Sequence, residues 1–349
     1  MTTAPEVDRL LVTVPSRRET GSFHTRVNRG TVVGPQPAER QGGQMLAPEG
    51  LKGVIPAIPT PFTADGSAIE EQALRRVVRH VIEGGVHGIM TTGGTGEFPH
   101  LSRDERRRVT EVVVSEAARA VPVYAGTAAC ATWEAIALTE DAAAAGADAA
   151  ILTPPFYFRI PEEMLHRHFE EVAAAGILPV VVYNNPLYTG NDLGPGLIAA
   201  LMQIHNVVGL KQSNDDLGQL VEALRLSEDT GRSLLTGIDS QFYAALSVGA
   251  RGIFSTAAAI VPAEMVRLYD LVAGGDHAAA AEQHRRLQPL NRFLEYDPGY
   301  VSPTKEALTM LGLDCGPVRR PLPDFPESER PALREAVDAL GGVRQAVSA

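Results

Sequence analysis

Val207-Val208-Gly209-Leu210-Lys211-Gln212-Ser213 runs four small or apolar residues into one lysine and then into polar side chains. A strand buried on both faces reads as a continuous apolar run, and this one stops where a polar face begins. Such strands belong to parallel sheets covered by helices, so the fold turns on whether the flanking sequence alternates strand and helix. Lysine is scarce here: of the 31 basic residues only Lys52, Lys211 and Lys305 are lysines. Arginine stays charged at any working pH, whereas a lysine whose surroundings disfavour the charge becomes a nucleophilic amine. On this stretch alone Lys211 has two readings, an imine-forming nucleophile or a strand-end lysine that reaches solvent.

Outward from that stretch the alternation is regular. Apolar runs predict strands at 53–59, 88–92, 122–126, 148–152, 179–183, 207–210, 233–237 and 252–255. Helical periodicity predicts helices at 69–83, 132–145, 162–175, 194–204, 215–228, 240–248 and 262–273, with Gly84-Gly85 stopping the first. Another helix starts at Ser102, with Glu105 at the spacing of a capping box. Eight strand–helix units imply an α/β fold of the (β/α)8 TIM-barrel type rather than an open sheet. The turn after the first strand, Thr60-Pro61-Phe62, also lacks the glycines of a dinucleotide site. Beyond residue 275 the pattern is helical only, at 276–296, 303–312 and 327–340. The expected organisation is a disordered N-terminal extension over 1–48, the barrel over 49–275, and C-terminal helices packed on it over 276–349. Met45 stands just before the first regular segment and offers an alternative start.

Composition excludes several classes. A net charge of −11, with no basic run interleaved with aromatics, argues against nucleic-acid binding. No apolar run is long enough to span a bilayer, and the first thirty residues lack a signal-peptide core, so no membrane partner and a cytoplasmic location are expected. Cys130 and Cys315 are far apart and show no metal spacing. His100, His166, His168 and His205 form no metal-like cluster, so no metal is assigned.

In a barrel of this kind the chemistry sits at the carboxyl ends of the strands. That rule selects Gly93-Gly94-Thr95-Gly96-Glu97, Pro154 to Tyr157, Tyr183-Asn184-Asn185-Pro186, Lys211 and Gly237. One lysine, the phenols of Tyr157 and Tyr183, the Thr95 hydroxyl and a glycine loop are expected to converge on one mouth. An imine on a lysine acts as an electron sink for the adjacent C–C bond, and the hydroxyls of Tyr183, Thr95 and Tyr157 are suited to shuttling its protons. The glycine loop offers backbone N–H groups to a carboxylate, to a phosphate, or to nothing beyond a tight turn. Glu97 reads either as a general base or as a residue that holds the loop.

Those motifs, with Gly209-Leu210-Lys211 and Pro155-Phe156-Tyr157 in order and spacing, resemble the dihydrodipicolinate synthase/N-acetylneuraminate lyase family of class I aldolases. Ile58-Pro59-Thr60-Pro61-Phe62, Gly249 to Ser255 and Gly316 to Leu322 agree as well, so the resemblance covers about 50–340. It implies a barrel with a C-terminal helical extension, assembled as a tetramer or dimer. Lys211 would form a Schiff base with pyruvate or a related 2-oxo acid, with no further cofactor. Tyr183 would donate and accept protons over the imine. Thr95 would position the substrate carboxylate, and Tyr157 would complete the relay in a neighbouring subunit's site. Gly237 and Phe254 would line the pocket.

Two residues depart from the family pattern. Gly94 stands where the family commonly has Thr or Ser, whose hydroxyl connects the two tyrosines; the relay would then pass through water. Tyr188 stands where the lysine-pathway synthases have an arginine that receives a substrate carboxylate. The expectation is therefore a pyruvate-type lyase or aldolase other than the lysine-pathway synthase, with a second substrate less anionic or differently held. A glycine-rich loop of this kind also resembles the branch that dehydrates and decarboxylates 5-dehydro-4-deoxyglucarate. A dehydratase or deaminase of a sugar-acid or hydroxyproline-derived 2-oxo acid is thus the alternative chemistry, and a non-catalytic binding or regulatory barrel the alternative of another class.

Overall fold

The computed structural model describes residues 46–295 and 299–341. Eight strands, β1 (Gly53–Pro56), β2 (Ile89–Thr91), β3 (Val123–Gly126), β4 (Ala149–Leu152), β5 (Val180–Asn184), β6 (Val207–Gln212), β7 (Ser233–Thr236) and β8 (Gly252–Ser255), pair in parallel in the order β1-β8-β7-β6-β5-β4-β3-β2. The ring closes where Ala57 bridges Met90 in parallel and the Ile58 N–H donates to the Met90 carbonyl at 3.0 Å. The expected (β/α)8 barrel is the observed fold.

Helices α1 (Glu71–Glu83), α2 (Arg103–Ala117), α3 (Thr132–Ala144) and α4 (Glu162–Ala174) follow β1 to β4. A short α5 (Pro186–Thr189) and α6 (Pro195–Leu201) follow β5, α7 (Leu217–Leu226) follows β6, and α8 (Phe242–Ser247) follows β7. After β8 come α9 (Ala257–Ile260) and α10 (Pro262–Ala273). The capping box forms as the spacing predicts: the Ser102 side chain accepts from the Glu105 N–H, and Glu105 accepts from the Ser102 N–H. The sequence reading missed α5 and α9, because a single turn of four residues carries no measurable period.

Strand alternation divides the apolar residues between two layers. Val54, Ile89, Val123, Val180, Leu234 and Ile253 face the helices, while Ile55, Met90, Tyr124, Ile151, Val181, Leu235 and Phe254 fill the barrel interior. At β6 the alternation breaks. Val180 pairs with Val207, yet Val181 pairs with Gly209, so Val208 is an extra residue in a β-bulge. Val207 faces the helices and Val208 the interior. Without the bulge, strict alternation from Val207 would send Lys211 outward; with it, Leu210 packs outward and Lys211 turns inward, in register with Tyr183 and Leu235. Gly209 must be small there, since a Cβ would run into the Ser233 carbonyl and the Leu51 side chain.

The C-terminal extension is helical as expected: α11 (His277–Leu294), α12 (Val301–Met310) and α13 (Arg330–Asp338). Leu287, Leu290, Leu308, Leu333 and Val337 join one buried cluster with Val77 and Val81 of α1 and Met265 and Leu268 of α10. The N-terminal extension, expected over 1–48, lies outside the described residues as far as 45. Residues 46–48 pack on the barrel instead: Leu46 leans on the interior cluster, and the Ser233 hydroxyl donates to the Pro48 carbonyl at 2.8 Å. Residues 342–349 of the C-terminal segment also lie outside the described residues.

Candidate active site

A cavity of about 350 Å³ opens at the carboxyl ends of the strands. Of the residues the sequence singled out, Lys211, Tyr183, Thr95, Gly94, Gly237 and Tyr188 line it. Lys211 is 5% exposed. Its Nζ stands 4.0 Å above the Tyr183 ring centroid, 5.7 Å from that of Phe254 and 3.9 Å from Met90 Sδ. Phe254 therefore forms the floor beneath the amine, inside the barrel rather than on the cavity wall. Gly237 is required by the lysine stem, since a Cβ there would come within 2.6 Å of Lys211 Cε.

The two buried lysines differ in their partners. Lys305, 3% exposed, donates to the Pro317 carbonyl at 2.8 Å and pairs with Glu97 Oε1 at 2.6 Å. Lys211, equally buried, makes no ion pair among the described residues; a thioether and two aromatic rings surround its Nζ. An amine so placed can attack a carbonyl carbon.

Hydroxyls surround it. Tyr183 Oη accepts from Asn185 Nδ2 at 2.9 Å, which occupies one lone pair and leaves the phenol proton for another acceptor. Thr95 Oγ1 lies 3.3 Å from Thr256 Oγ1. Among the described residues no acceptor takes the backbone N–H groups of Gly94 or Thr95, so both donors are left for a ligand. Glu97 is not a base of this site: it is 1% exposed and stands outside the cavity, paired with Lys305 and accepting from the Arg319 N–H at 2.8 Å. Of its two readings, holding the loop is the observed one.

Tyr157 does not join the convergence within its own chain. Its backbone is left-handed (φ 82°), its ring packs edge-on against Phe158, and it is 87% exposed outside the cavity. The other phenols of the cavity are Tyr188 and Tyr300, whose rings lie 6.0 Å apart.

Sequence reasoning also passed over Asp239, Thr256, Glu295 and Tyr300. Asp239 follows the strand-end Gly237 by two residues, so its position was readable. Glu295 and Tyr300 come from the helical extension, which the strand-end rule does not reach. Asp239 is fully buried and accepts from the Ser255 hydroxyl and from the N–H groups of Thr256 and Ala257. Burial, opposed by those hydrogen bonds and aided by the Glu295 carboxylate, pushes its carboxyl up to about 7. Burial likewise holds the Glu295 carboxyl above the usual range, although its Oε1 accepts from the Ser240 N–H at 2.5 Å.

The raised value of Asp239 sets a pH dependence of stability. An unfolded aspartate titrates at about 3.9. Because the folded state holds this proton more tightly, the group's contribution is intact below that value and is lost as pH rises through about 7. Asp239→Asn cannot lose a proton. Its urea midpoint relative to wild type is expected to climb from pH 4.5 to 7 and then level off; a difference constant across that window contradicts the assignment.

One mouth of a parallel barrel thus carries a buried lysine with no ion pair among the described residues, a phenol beneath it and a glycine-rich loop. Comparison with known proteins gives the class. The Dihydrodipicolinate synthetase family profile matches residues 50–340. A 4-hydroxy-tetrahydrodipicolinate synthase from Methanothrix thermoacetophila is 40% identical over 292 residues, 83% of this chain and 97% of that protein. A DapA-like lyase from Halobacterium salinarum is 36% identical, over 84% of this chain and 95% of its own. Among solved structures, YagE from E. coli K12, in complex with pyruvate, superposes with a TM-score of 0.79 at 30% identity, covering 83% of this chain and 99% of that one. The chain belongs to the dihydrodipicolinate synthetase family. It is a lyase of the class I aldolase type, which leaves the non-catalytic barrel without support.

No helix among the described residues is long and apolar enough to cross a membrane. Among them, no group of three or more His, Cys, Asp or Glu side chains is placed to hold a metal ion.

Proposed function

We propose that the protein makes or breaks a carbon–carbon bond next to the carbonyl of pyruvate or a related 2-oxo acid, through an imine on Lys211. The observation that carries this reading is the contrast between the ion-paired Lys305 and the unpaired Lys211, the latter buried over the Tyr183 ring. The Lys211 amine adds to C2 of the 2-oxo acid, and water leaves to give the imine. The Gly94 and Thr95 N–H groups and the Thr95 hydroxyl hold the carboxylate. Tyr183 takes the C3 proton, and the resulting enamine attacks an aldehyde; cleavage runs the same steps in reverse. Tyr157 serves the site of a neighbouring copy in a tetramer or dimer, a role its exposure on its own chain supports. The covalent imine needs no cofactor, and the setting is the cytoplasm.

A panel of aldol adducts of pyruvate tests the reaction class. Release of free pyruvate is expected. Loss of water or ammonia with no pyruvate released would favour the dehydratase or deaminase chemistry instead.

Two observations bear on the second substrate, and they point apart. Relatives named 4-hydroxy-tetrahydrodipicolinate synthase favour that reaction and give no support to the expectation of a different one. Against this, the described residues lining the cavity include one cation, Lys211 itself, and three carboxylates, Asp215, Asp239 and Glu295, with Tyr188 and Leu187 also on the wall. Once Lys211 is committed to the imine, no cationic side chain of this set remains for a second carboxylate. With pyruvate present, D-glyceraldehyde is expected to react with a higher kcat/KM than succinic semialdehyde. Tyr188→Arg is expected to raise kcat/KM for the anionic aldehyde by about tenfold. Faster wild-type reaction with the anionic aldehyde would overturn the less-anionic reading and leave the synthase reading standing.

A further inference from the structure

Gly94 is not in the left-handed region, so its backbone admits a side chain. What a Cβ at residue 94 would meet is the Tyr300 hydroxyl oxygen, which would have to shift. That close approach is to the oxygen alone, because the next ring atom, Tyr300 Cζ, would lie at an ordinary 3.7 Å. The phenol oxygen thus occupies the place where a side chain on the loop would begin, beside Thr95 and on the wall of the cavity that holds Lys211 and Tyr183.

The placement is anchored. Tyr300 is the residue before α12, and its carbonyl accepts from the Thr304 hydroxyl at 2.7 Å. Five residues further along, Lys305 reaches the same loop and pairs with Glu97 at 2.6 Å, with both side chains buried. One helix therefore meets the Gly93 to Glu97 loop twice, once with a charge at its end and once with a hydroxyl at its glycine.

We infer that Tyr300 is a proton-relay residue of the active site, supplying from the C-terminal extension the hydroxyl that the loop lacks at Gly94. The inference rests on the reading of Lys211 as an imine-forming lysine. When the C3–H bond of the imine breaks, its electron pair forms the C2–C3 double bond and neutralises the iminium nitrogen. The proton goes to the Tyr183 oxygen as the Tyr183 proton passes to Tyr300 and the Tyr300 proton passes to solvent. In D2O the reverse path delivers a deuteron, so the step is readable with pyruvate alone as exchange of its methyl hydrogens.

Tyr300→Phe removes only the oxygen. The fraction of Lys211 trapped by borohydride with pyruvate and the melting temperature are expected to match wild type, while methyl exchange slows at least about tenfold. Gly94→Ser combined with Tyr300→Phe returns a hydroxyl to the same place from the loop, and the ring is already at contact distance; exchange is expected to recover. Exchange within twofold of wild type in Tyr300→Phe overturns the inference. So does slowed exchange accompanied by lost trapping and a lower melting temperature, with no recovery in the double variant, since that describes a structural residue. If wild type itself gives no adduct, it is the imine reading that has failed, and the two failures are thereby told apart.

Discussion

Lys211→Ala is expected to abolish pyruvate release from an aldol adduct, lowering kcat by roughly ten-thousand-fold or more while leaving the fold intact. The expectation follows from position. Lys211 lies at the carboxyl end of β6, its stem against Gly237 and its amine over Tyr183, and the cavity includes no second amine among the described residues that line it. Hydroxyls can polarise a carbonyl, but they cannot form an imine, so the electron sink disappears with the nitrogen. Arginine is no substitute, since its guanidinium stays protonated at any working pH. The stability of the variant should not fall sharply, because no ion pair is broken. Urea unfolding beside the pyruvate assay checks both statements; a variant that keeps more than a few per cent of wild-type turnover contradicts the role.

Lys305→Met has the opposite profile: a large loss of stability with no reacting atom removed. The Lys305–Glu97 pair is buried, with side-chain exposures of 3% and 0%. Removing one partner of such a pair strands the other charge, at a cost of roughly 3–5 kcal/mol. Glu97 would keep only the Arg319 N–H, and its loop carries Thr95 and faces Tyr300. Activity measured at low temperature is therefore expected to fall as well, through a higher KM for pyruvate as the loop proposed to hold its carboxylate loosens. Glu97→Gln together with Lys305→Met removes both charges and should recover part of the lost stability. Chemical denaturation of Lys305→Met, Glu97→Gln and the double variant reads this out; additive losses contradict a coupled pair.

Much of this was legible in the sequence, for a physical reason. Eight apolar runs alternating with amphipathic helices leave a parallel barrel as the arrangement that buries both, and the strand-end rule then selects Lys211, Tyr183, Thr95 and Gly237. The bulge at Val208 was not legible. It depends on how β5 and β6 pair, and alternation from Val207 alone would have turned Lys211 away from the cavity. Tyr157 was read as part of the convergence because it follows β4, but its left-handed backbone and its packing on Phe158 take the ring out of the cavity. Tyr300 and Glu295 were missed because helical periodicity reports which face of a helix is buried, not where its end meets a distant loop. Gly94 and Tyr188 were recognised as departures. Their consequences needed the structure, which sets the Tyr300 oxygen against one and its ring beside the other.

The central claim is that Lys211 forms an imine with a 2-oxo acid. Sodium borohydride reduction of the full chain with pyruvate, followed by peptide mass mapping, tests it most directly. The predicted result is a single 1-carboxyethyl group on the peptide containing Lys211, with Lys52 and Lys305 unmodified. An unmodified Lys211 peptide, under conditions that label a related enzyme treated in parallel, would contradict it.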